Sequence, residues 1–290
     1  IGYDARNSSE VLYQALLKGF KAYEIKIIDL GLSTLPVIYY CAITQTNGCA
    51  LMITAGSSPS DINGIKLILN NEVVSKEKLK SFANVEIENA NDKFKIEKQN
   101  INHLYINSIT EQFNFKKTLK IVVDTSNGVA SLIIFDLFKL LGCNVIPLNK
   151  EIDGNFPNHT PNPTKPENFK ELSEIVKKES ADLGIIFNGD ASSIGMVSSS
   201  GNIIWADRLL MLLAREILKD NVGAKIIYDI KSTSQIHDWV IKYQGEPELS
   251  PSGYGAIKQR MDINKALLAG EFSGHFFLAT HANGLDDSFY

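Results

Sequence analysis

The feature that most limits the fold of this 290-residue chain is an internal repeat that occurs three times. The first half of each copy is an apolar strand ending in aspartate, a short polar turn, an amphipathic helix and a second strand. These opening strands cover residues 1–4, 120–124 and 225–229. The second half is an apolar strand, a small polar loop and another apolar strand, at residues 50–68, 183–197 and 266–278. A unit used three times indicates three similar domains.

Fully apolar strands that alternate with helices are typical of parallel or mixed sheets covered on both faces. We therefore predict an α/β fold with three similar α/β/α domains and mixed sheets. The stretches 92–102 and 198–207 are polar and poor in apolar residues, which is typical of domain boundaries. This places the domains at residues 1–95, 96–202 and 203–290.

The three polar loops predict one shared cleft. In sheets of this kind, ligand-binding side chains gather at the carboxyl ends of strands and at the amino ends of helices. A single loop of this type would favour an ordinary polar turn, and that interpretation stays open for each loop taken alone. Three loops in corresponding positions favour a common site.

Composition excludes several classes of partner. A net charge of −4 argues against a nucleic-acid surface, which needs a clustered basic face. No apolar run approaches the roughly 20 residues of a membrane helix, so we expect no membrane partner. Cys41, Cys49 and Cys143 lack metal-site or redox spacing and predict small core residues of a reduced, cytoplasmic protein. The abrupt ends at Ile1 and Tyr290 predict either a fragment or a truncated reading frame.

One loop carries a specific resemblance. Thr54-Ala-Gly-Ser-Ser-Pro59, followed by Asn63-Gly-Ile-Lys66, resembles the active-site loop of the α-D-phosphohexomutase family, which reads Thr-Ala-Ser-His-Asn-Pro and then Asn-Gly-x-Lys at the same spacing. The resemblance continues in order along the chain. Residues 1–9, 151–168, 187–190 and 270–275 are similar to the family's first-domain opening, second-domain signature, metal loop and sugar-recognition loop.

The resemblance implies a function of the phosphomannomutase/phosphoglucomutase type, an isomerase of carbohydrate metabolism. In that family a phosphoserine donates its phosphoryl group to a hexose phosphate and receives another back, which moves the phosphate between C1 and C6. A Mg²⁺ ion held by three aspartates neutralises the transferring group. The family also has a fourth, C-terminal domain, which the resemblance does not find here. Mannose and glucose phosphates both remain open as ligands.

The residues that this chemistry requires are only partly kept. Gly56 stands at the phosphoserine position and has no oxygen to phosphorylate. Asn188 and Ser192 replace two of the three metal-binding aspartates, while Asp190 is retained. We therefore predict severely impaired phosphoryl transfer and weak or absent Mg²⁺ binding. Ser57 is disfavoured as a substitute nucleophile, because a misplacement of about 1 Å already costs roughly 100-fold in rate.

Other positions match the family and carry roles by resemblance alone. Glu271, Ser273 and His275 match the sugar-recognition loop and are the predicted substrate-binding residues. Lys66 matches a candidate general acid/base and Arg6 a residue that steadies phosphate charge, with solvated cations as the alternative. Residues 251–254, Pro-Ser-Gly-Tyr, replace the family's Lys-Thr-Gly-His. Two hypotheses remain: an impaired mutase, or a non-catalytic hexose-phosphate-binding pseudoenzyme or product of a decaying gene.

Overall fold

The computed structural model describes residues 1–21, 23–82 and 95–290, so the start of the first predicted boundary, residues 92–94, lies outside the described residues. The first sheet is built from strands β1 to β6 with the exception of β2. In chain order the elements are β1 (Gly2–Tyr3), α1 (Ser9–Phe20), β2 (Lys26–Asp29), β3 (Gly31–Leu32), α2 (Leu35–Gln45), β4 (Ala50–Ile53), β5 (Ile65–Leu69), β6 (Glu72–Val73), α3 (Lys76–Ser81) and β7 (Lys95–Lys98). The sheet order is β3-β1-β4-β5-β6, and β2 pairs in parallel with β7 beside it.

The second sheet has the order β12-β11-β10-β8-β9. Its elements are α4 (Asn102–Thr110), β8 (Lys120–Asp124), α5 (Ile134–Leu140), β9 (Asn144–Leu148), α6 (Lys170–Lys178), β10 (Leu183–Phe187), β11 (Ile194–Ser198) and β12 (Ile203–Ile204), with short 3-10 helices at Val129–Leu132 and Pro166–Phe169.

The third sheet has the order β14-β13-β15-β16. Its elements are α7 (Ala206–Asp220), β13 (Lys225–Asp229), α8 (Gln235–Lys242), β14 (Glu246–Ser250), α9 (Tyr254–Asn264), β15 (Leu268–Gly270) and β16 (Phe276–Leu278), followed by a 3-10 helix at Ala282–Gly284.

All three sheets share one arrangement of four strands, to which the first two sheets add a fifth, and this confirms the predicted α/β fold of three similar domains with mixed sheets. The opening strand of each repeat, β1, β8 or β13, lies between two parallel neighbours. The strand before each polar loop, β4, β10 or β15, pairs antiparallel with the strand that follows the loop. The three polar loops therefore leave their sheets at equivalent places.

Strand β8 shows why an uninterrupted apolar strand is needed here. Ile121 and Val123 pack into the cluster formed with α4 and α5, whereas Val122 packs on the opposite face against α6. Successive side chains of a strand point to opposite faces, so a sheet covered on both sides must be apolar at every position. Each such buried side chain contributes about 1.5 to 3 kcal/mol.

The cysteines differ in part from the prediction. Cys41 is buried and Cys143 is half-buried, but Cys49 is exposed, because it lies in the turn that joins α2 to β4. Burial raises the pKa of the Cys41 thiol. In the part of the chain that the structure describes, no helix combines the length and the apolar character needed to cross a membrane.

The segment after the third sheet ties the domains together. Phe289 packs in the core beside α4 and α5, and the Asp287 carboxylate accepts hydrogen bonds from the Tyr105 hydroxyl at 2.8 Å. The Ser288 hydroxyl donates to the Ala191 carbonyl at 2.6 Å. This segment thus fixes the third domain against the loop that follows β10.

Candidate functional site

Loops from all three domains line one cleft of about 990 Å³. The first follows β4, the second follows β10 and the third follows β15, so each leaves the carboxyl end of the equivalent strand. Lining residues from these loops include Gly56, Asp190, Ser192, Ser273 and His275. The structure therefore brings together the residues that the sequence singled out in three separate segments.

Gly56 faces the loop after β10. Its φ is +54°, in the left-handed region where glycine is favoured. A Cβ atom built on Gly56 would lie 3.3 Å from Asn188 Nδ2 and 3.6 Å from Asp190 Oδ2. A side chain at this position would thus point directly at the predicted metal loop, and glycine leaves that direction without a nucleophilic atom.

The Thr54 hydroxyl links the first two domains. Its oxygen lies 2.8 Å from Asp4 Oδ2 and 2.9 Å from Asp190 Oδ2, and it accepts a hydrogen bond from the Gly56 amide at 3.0 Å. A hydroxyl has one hydrogen to donate, so it satisfies one carboxylate at a time. Burial raises the pKa of Asp4; the Arg6 charge opposes this shift and the Asp190 charge adds to it.

Arg6 organises the loop after β4 and is only 2% exposed. Its Nε donates to Asp4 Oδ2 at 3.1 Å, and its two terminal nitrogens donate to four loop carbonyls. Those acceptors are the carbonyl oxygens of Gly56 (3.0 Å), Ser58 (2.9 Å), Ile62 (3.0 Å) and Pro59. A guanidinium has five N–H donors. All five are used, so the solvated-cation alternative is wrong for Arg6, and no donor is left for a phosphate.

The predicted metal loop is closed by its own hydrogen bonds. The Ser192 hydroxyl donates to Asp190 Oδ1 at 2.7 Å and accepts from Asn188 Nδ2 at 3.0 Å. Asn188 Oδ1 accepts from the amides of Ser192 at 2.9 Å and Ser193 at 3.1 Å. The Leu35 amide, in the first turn of α2, donates to the Asp190 carbonyl at 2.9 Å.

This donor set does not fit a magnesium ion. Mg²⁺ requires near-octahedral oxygen ligands and is usually held by carboxylates. Here one carboxylate remains, and the Asn188, Ser192 and Asp190 oxygens are engaged with each other or with backbone amides. Among the described residues, no group of three or more acidic, histidine or cysteine side chains is arranged to hold a metal ion.

In the third domain, the three residues of the predicted sugar loop do not all face the cleft. Ser273 and His275 line the cleft, and the Ser273 hydroxyl lies 2.9 Å from His275 Nδ1. His275 Nε2 lies 3.2 Å from Ser192 Oγ, which connects this loop to the metal loop. Glu271 is 6% exposed, and its carboxylate accepts from the Gly253 amide at 2.6 Å. Glu271 thus lies behind the cleft wall and supports the neighbouring loop.

Lys66 lies on β5 at the edge of the cleft and is half-buried. Its ammonium donates to the Tyr39 hydroxyl at 3.2 Å and lies 4.4 Å from the centroid of the Tyr254 ring. Lys66 is therefore held against two aromatic side chains, one from the first domain and one from the third. Burial, followed by the nearby Asp286 charge, raises the pKa of both Tyr39 and Tyr254.

Asp286 is a residue that the sequence interpretation missed. It is 0% exposed, and neither of its carboxylate oxygens has a hydrogen-bond partner among the described residues. His275 Nε2 lies 3.8 Å from Asp286 Oδ2, beyond hydrogen-bond distance. The signal available in the sequence was the pair of adjacent acids, Asp286 and Asp287, after an apolar strand.

Three mixed-sheet domains whose strand-end loops meet in one cleft define the multidomain α/β/α class to which the sugar-phosphate mutases belong. The family models for phosphoglucomutase/phosphomannomutase alpha/beta/alpha domains I, II and III match residues 1–90, 103–201 and 205–290. The chain belongs to the α-D-phosphohexomutase family, in its phosphoglucomutase/phosphomannomutase group.

Individual relatives agree with this assignment. A phosphomannomutase/phosphoglucomutase of Pseudomonas aeruginosa is 39% identical over 292 residues, which cover 100% of this chain and 63% of the relative. A phosphoglucomutase of Neisseria gonorrhoeae is 36% identical and is covered to 64%. The crystal structure of a phosphoglucomutase/phosphomannomutase family protein from Burkholderia thailandensis has a TM-score of 0.91 at 33% identity, with 100% of this chain and 65% of that chain covered. This chain thus spans a little under two thirds of the length of these relatives.

Proposed function

We propose that this chain binds a hexose phosphate in the three-domain cleft and does not carry out efficient phosphoryl transfer. The observation that carries the proposal is the direction of Gly56. Its missing side chain would face Asn188 and Asp190, where the family's nucleophile would meet its metal loop. Removal of a covalent nucleophile in a comparable enzyme costs on the order of 10⁴ to 10⁶ in rate.

Binding is supported by the relatives and by the atoms that face the cleft. The relatives are named for mutases of phosphoglucose and phosphomannose. Hydroxyl and amide groups of Ser57, Asn162 and Ser273 line the cleft and match the donors and acceptors of a sugar. We propose either a glucose or a mannose phosphate as the ligand.

A thermal-shift experiment combined with a coupled mutase assay tests both halves of the proposal. Glucose 6-phosphate and mannose 6-phosphate should stabilise the chain, by about 2.7 kcal/mol at a ligand concentration of 100 Kd. Glucose without phosphate is the reference ligand. Interconversion of glucose or mannose 1- and 6-phosphates should not exceed the blank.

The alternative hypothesis is that this chain is an impaired mutase with some remaining activity. Turnover that disappears in Glu271→Ala but persists in Glu246→Ala, an exposed acid of the same domain, would contradict the non-catalytic proposal. Because Glu271 supports the loop that precedes α9, both variants need circular dichroism spectra that match the wild type.

The proposal also covers the nucleophile and the metal. After incubation with glucose 1,6-bisphosphate, phosphopeptide analysis should find no label on Ser57 or Ser58. Titration calorimetry with MgCl₂ should find no saturable site at millimolar concentration, since the loop after β10 keeps a single carboxylate. Stable label on either serine would overturn the proposal that the loop has no nucleophile. A tight magnesium site would overturn the proposal that the chain does not bind the metal.

A further inference from the structure

One cation dominates the cleft. Among the described residues that line it, Lys66 is the one lysine or arginine, because Arg6 is buried beneath the loop after β4. An anionic group entering the cleft would be expected to bind Lys66, since an ammonium forms strong charge-assisted hydrogen bonds with phosphate oxygens. What surrounds Lys66 therefore decides where a phosphate can bind.

Two tyrosines from different domains enclose the Lys66 ammonium. The Tyr254 ring lies 4.4 Å from Nζ, the Tyr39 hydroxyl accepts from Nζ at 3.2 Å, and the Tyr39 hydroxyl lies 3.3 Å from the Tyr254 hydroxyl. Tyr39 is fully buried in α2. The cation is thus covered by an aromatic face and a hydroxyl, and the buried Asp286 carboxylate lies close to both tyrosines.

The position of Tyr254 is fixed by the loop before it. The Ser252 hydroxyl donates to Asp229 Oδ2 at 2.6 Å, and the Gly253 amide donates to Glu271 at 2.6 Å. The Tyr254 ring also packs edge-on against Phe277, with ring centroids 5.0 Å apart. A phosphate that approached Lys66 would have to displace a ring that packs on Phe277 and follows an anchored loop.

We propose that Tyr254 is a specificity-determining residue, which occupies the Lys66 ammonium and closes this end of the cleft to a phosphate group. The end then accepts the uncharged, hydroxyl-bearing part of a sugar, which can pack against the Tyr254 ring where it lines the cleft. This inference rests on the proposed function and deepens it, because it leaves the phosphate of the ligand to uncharged donors elsewhere in the cleft, such as the hydroxyls of Ser57 and Ser58.

Binding of glucose 1,6-bisphosphate, measured by titration calorimetry, tests the inference. Tyr254→Leu keeps an apolar contact with Phe277 but exposes Lys66, so affinity for the bisphosphate should rise about ten-fold, as expected for one new charge-assisted hydrogen bond. Tyr254→Phe keeps the ring over the cation and should stay within about three-fold of the wild type. The gain should be lost in Lys66→Met/Tyr254→Leu.

The matched control is Tyr243→Leu. The Tyr243 ring also lies near a lysine, with Lys242 Nζ 5.8 Å from its centroid, but this pair lies outside the residues that line the cleft. Its bisphosphate affinity should equal that of the wild type. An unchanged affinity in Tyr254→Leu, or a gain that persists without Lys66, would overturn the inference.

A second measurement is independent of sugar binding. Acylation of lysines by an N-hydroxysuccinimide ester, followed by peptide mass spectrometry, should label Lys66 at least about five-fold more slowly than the exposed Lys139 of α5, since a covered ammonium reacts less readily. Tyr254→Leu should remove most of that difference. Labelling of wild-type Lys66 as fast as Lys139 would overturn the inference even if sugars bind. Slow labelling without any sugar binding would support the covered lysine and reject the proposed function.

Discussion

The two walls of the cleft differ in how their polar atoms are used. On the wall formed by the first two domains, Arg6, Thr54 and Asn188 direct their donors to neighbouring carbonyl, carboxylate and hydroxyl oxygens. On the wall formed by the third domain, Ser273 and His275 face the cleft, and the buried Asp286 has no hydrogen-bond partner among the described residues. The polar atoms of the first wall bond to neighbouring protein groups, whereas Ser273 and His275 of the second wall also line the cleft.

The largest expected effect comes from Arg6→Ala. This change leaves the buried Asp4 carboxylate without its cation and four loop carbonyls without donors. Removal of one partner from a buried pair costs about 3 to 5 kcal/mol, and urea unfolding followed by circular dichroism should report a loss of that size. Arg215→Ala, which removes an exposed pair with Glu216, should leave the midpoint unchanged. Equal stability of both variants would show that Arg6 does not hold the first wall.

The sequence predicted the fold better than it predicted this wall. Three apolar strands ending in aspartate, and a loop after each equivalent strand, are local patterns, and they were sufficient to place three domains around one cleft. The role of Arg6 depends on carbonyls that are 50 or more residues away in the chain, whose directions follow from the folded loop. The spacing of residues in the sequence does not reveal which acceptors the N–H donors of a guanidinium will bind.

The same limit applies to the third domain. Glu271 lies in a specific motif, but its orientation towards the Gly253 amide depends on the loop that precedes α9. Asp286 resembles a surface acid in the sequence and is fully buried in the structure. Lys66 and Tyr254 come together only when the first and third domains pack. Pairings between domains were therefore beyond what periodicity and local motifs can indicate.

A buried acid outside the cleft provides a second test. Asp124 is paired with His159 at 2.9 Å, so this carboxylate has a titratable cation as its partner. Burial lowers the pKa of His159, but the hydrogen bond and charge of Asp124 outweigh this and raise it above its ordinary value of 6.5. The stabilisation is therefore complete below pH 6.5 and is lost as pH rises through the folded-state pKa.

His159→Gln should accordingly be less stable than the wild type by about 1.5 to 3 kcal/mol at pH 6, with a smaller difference at pH 9. Urea unfolding at the two pH values measures the difference. His237→Gln is the control, because His237 is exposed on α8. If the difference in unfolding free energy between the wild type and His159→Gln grew as pH rose, that result would contradict a charged pair between His159 and Asp124.

Thr54→Val tests the contact between the first two domains directly. The hydroxyl serves two carboxylates and the Gly56 amide, and valine leaves all three without it in a buried position. We expect a loss of about 1 to 3 kcal/mol in the free energy of unfolding. Thr44→Val, whose hydroxyl bonds the exposed end of α2, should change little. A neutral Thr54→Val would mean that the two domains pack without this shared hydrogen bond.

The smallest expected effect concerns the third-domain wall and separates binding from stability. Ser273 faces the cleft, and its hydroxyl contacts His275 Nδ1 at 2.9 Å. If this wall still binds sugar, Ser273→Ala should weaken hexose-phosphate affinity by about 0.5 to 1.5 kcal/mol, the net contribution of one hydrogen bond. The unfolding midpoint should hardly move, because the serine is only half-buried. Ser200→Ala, in an exposed turn of the second domain, is the control. A stability loss without an affinity loss would place Ser273 with the structural residues of the opposite wall, and the two walls would then no longer differ.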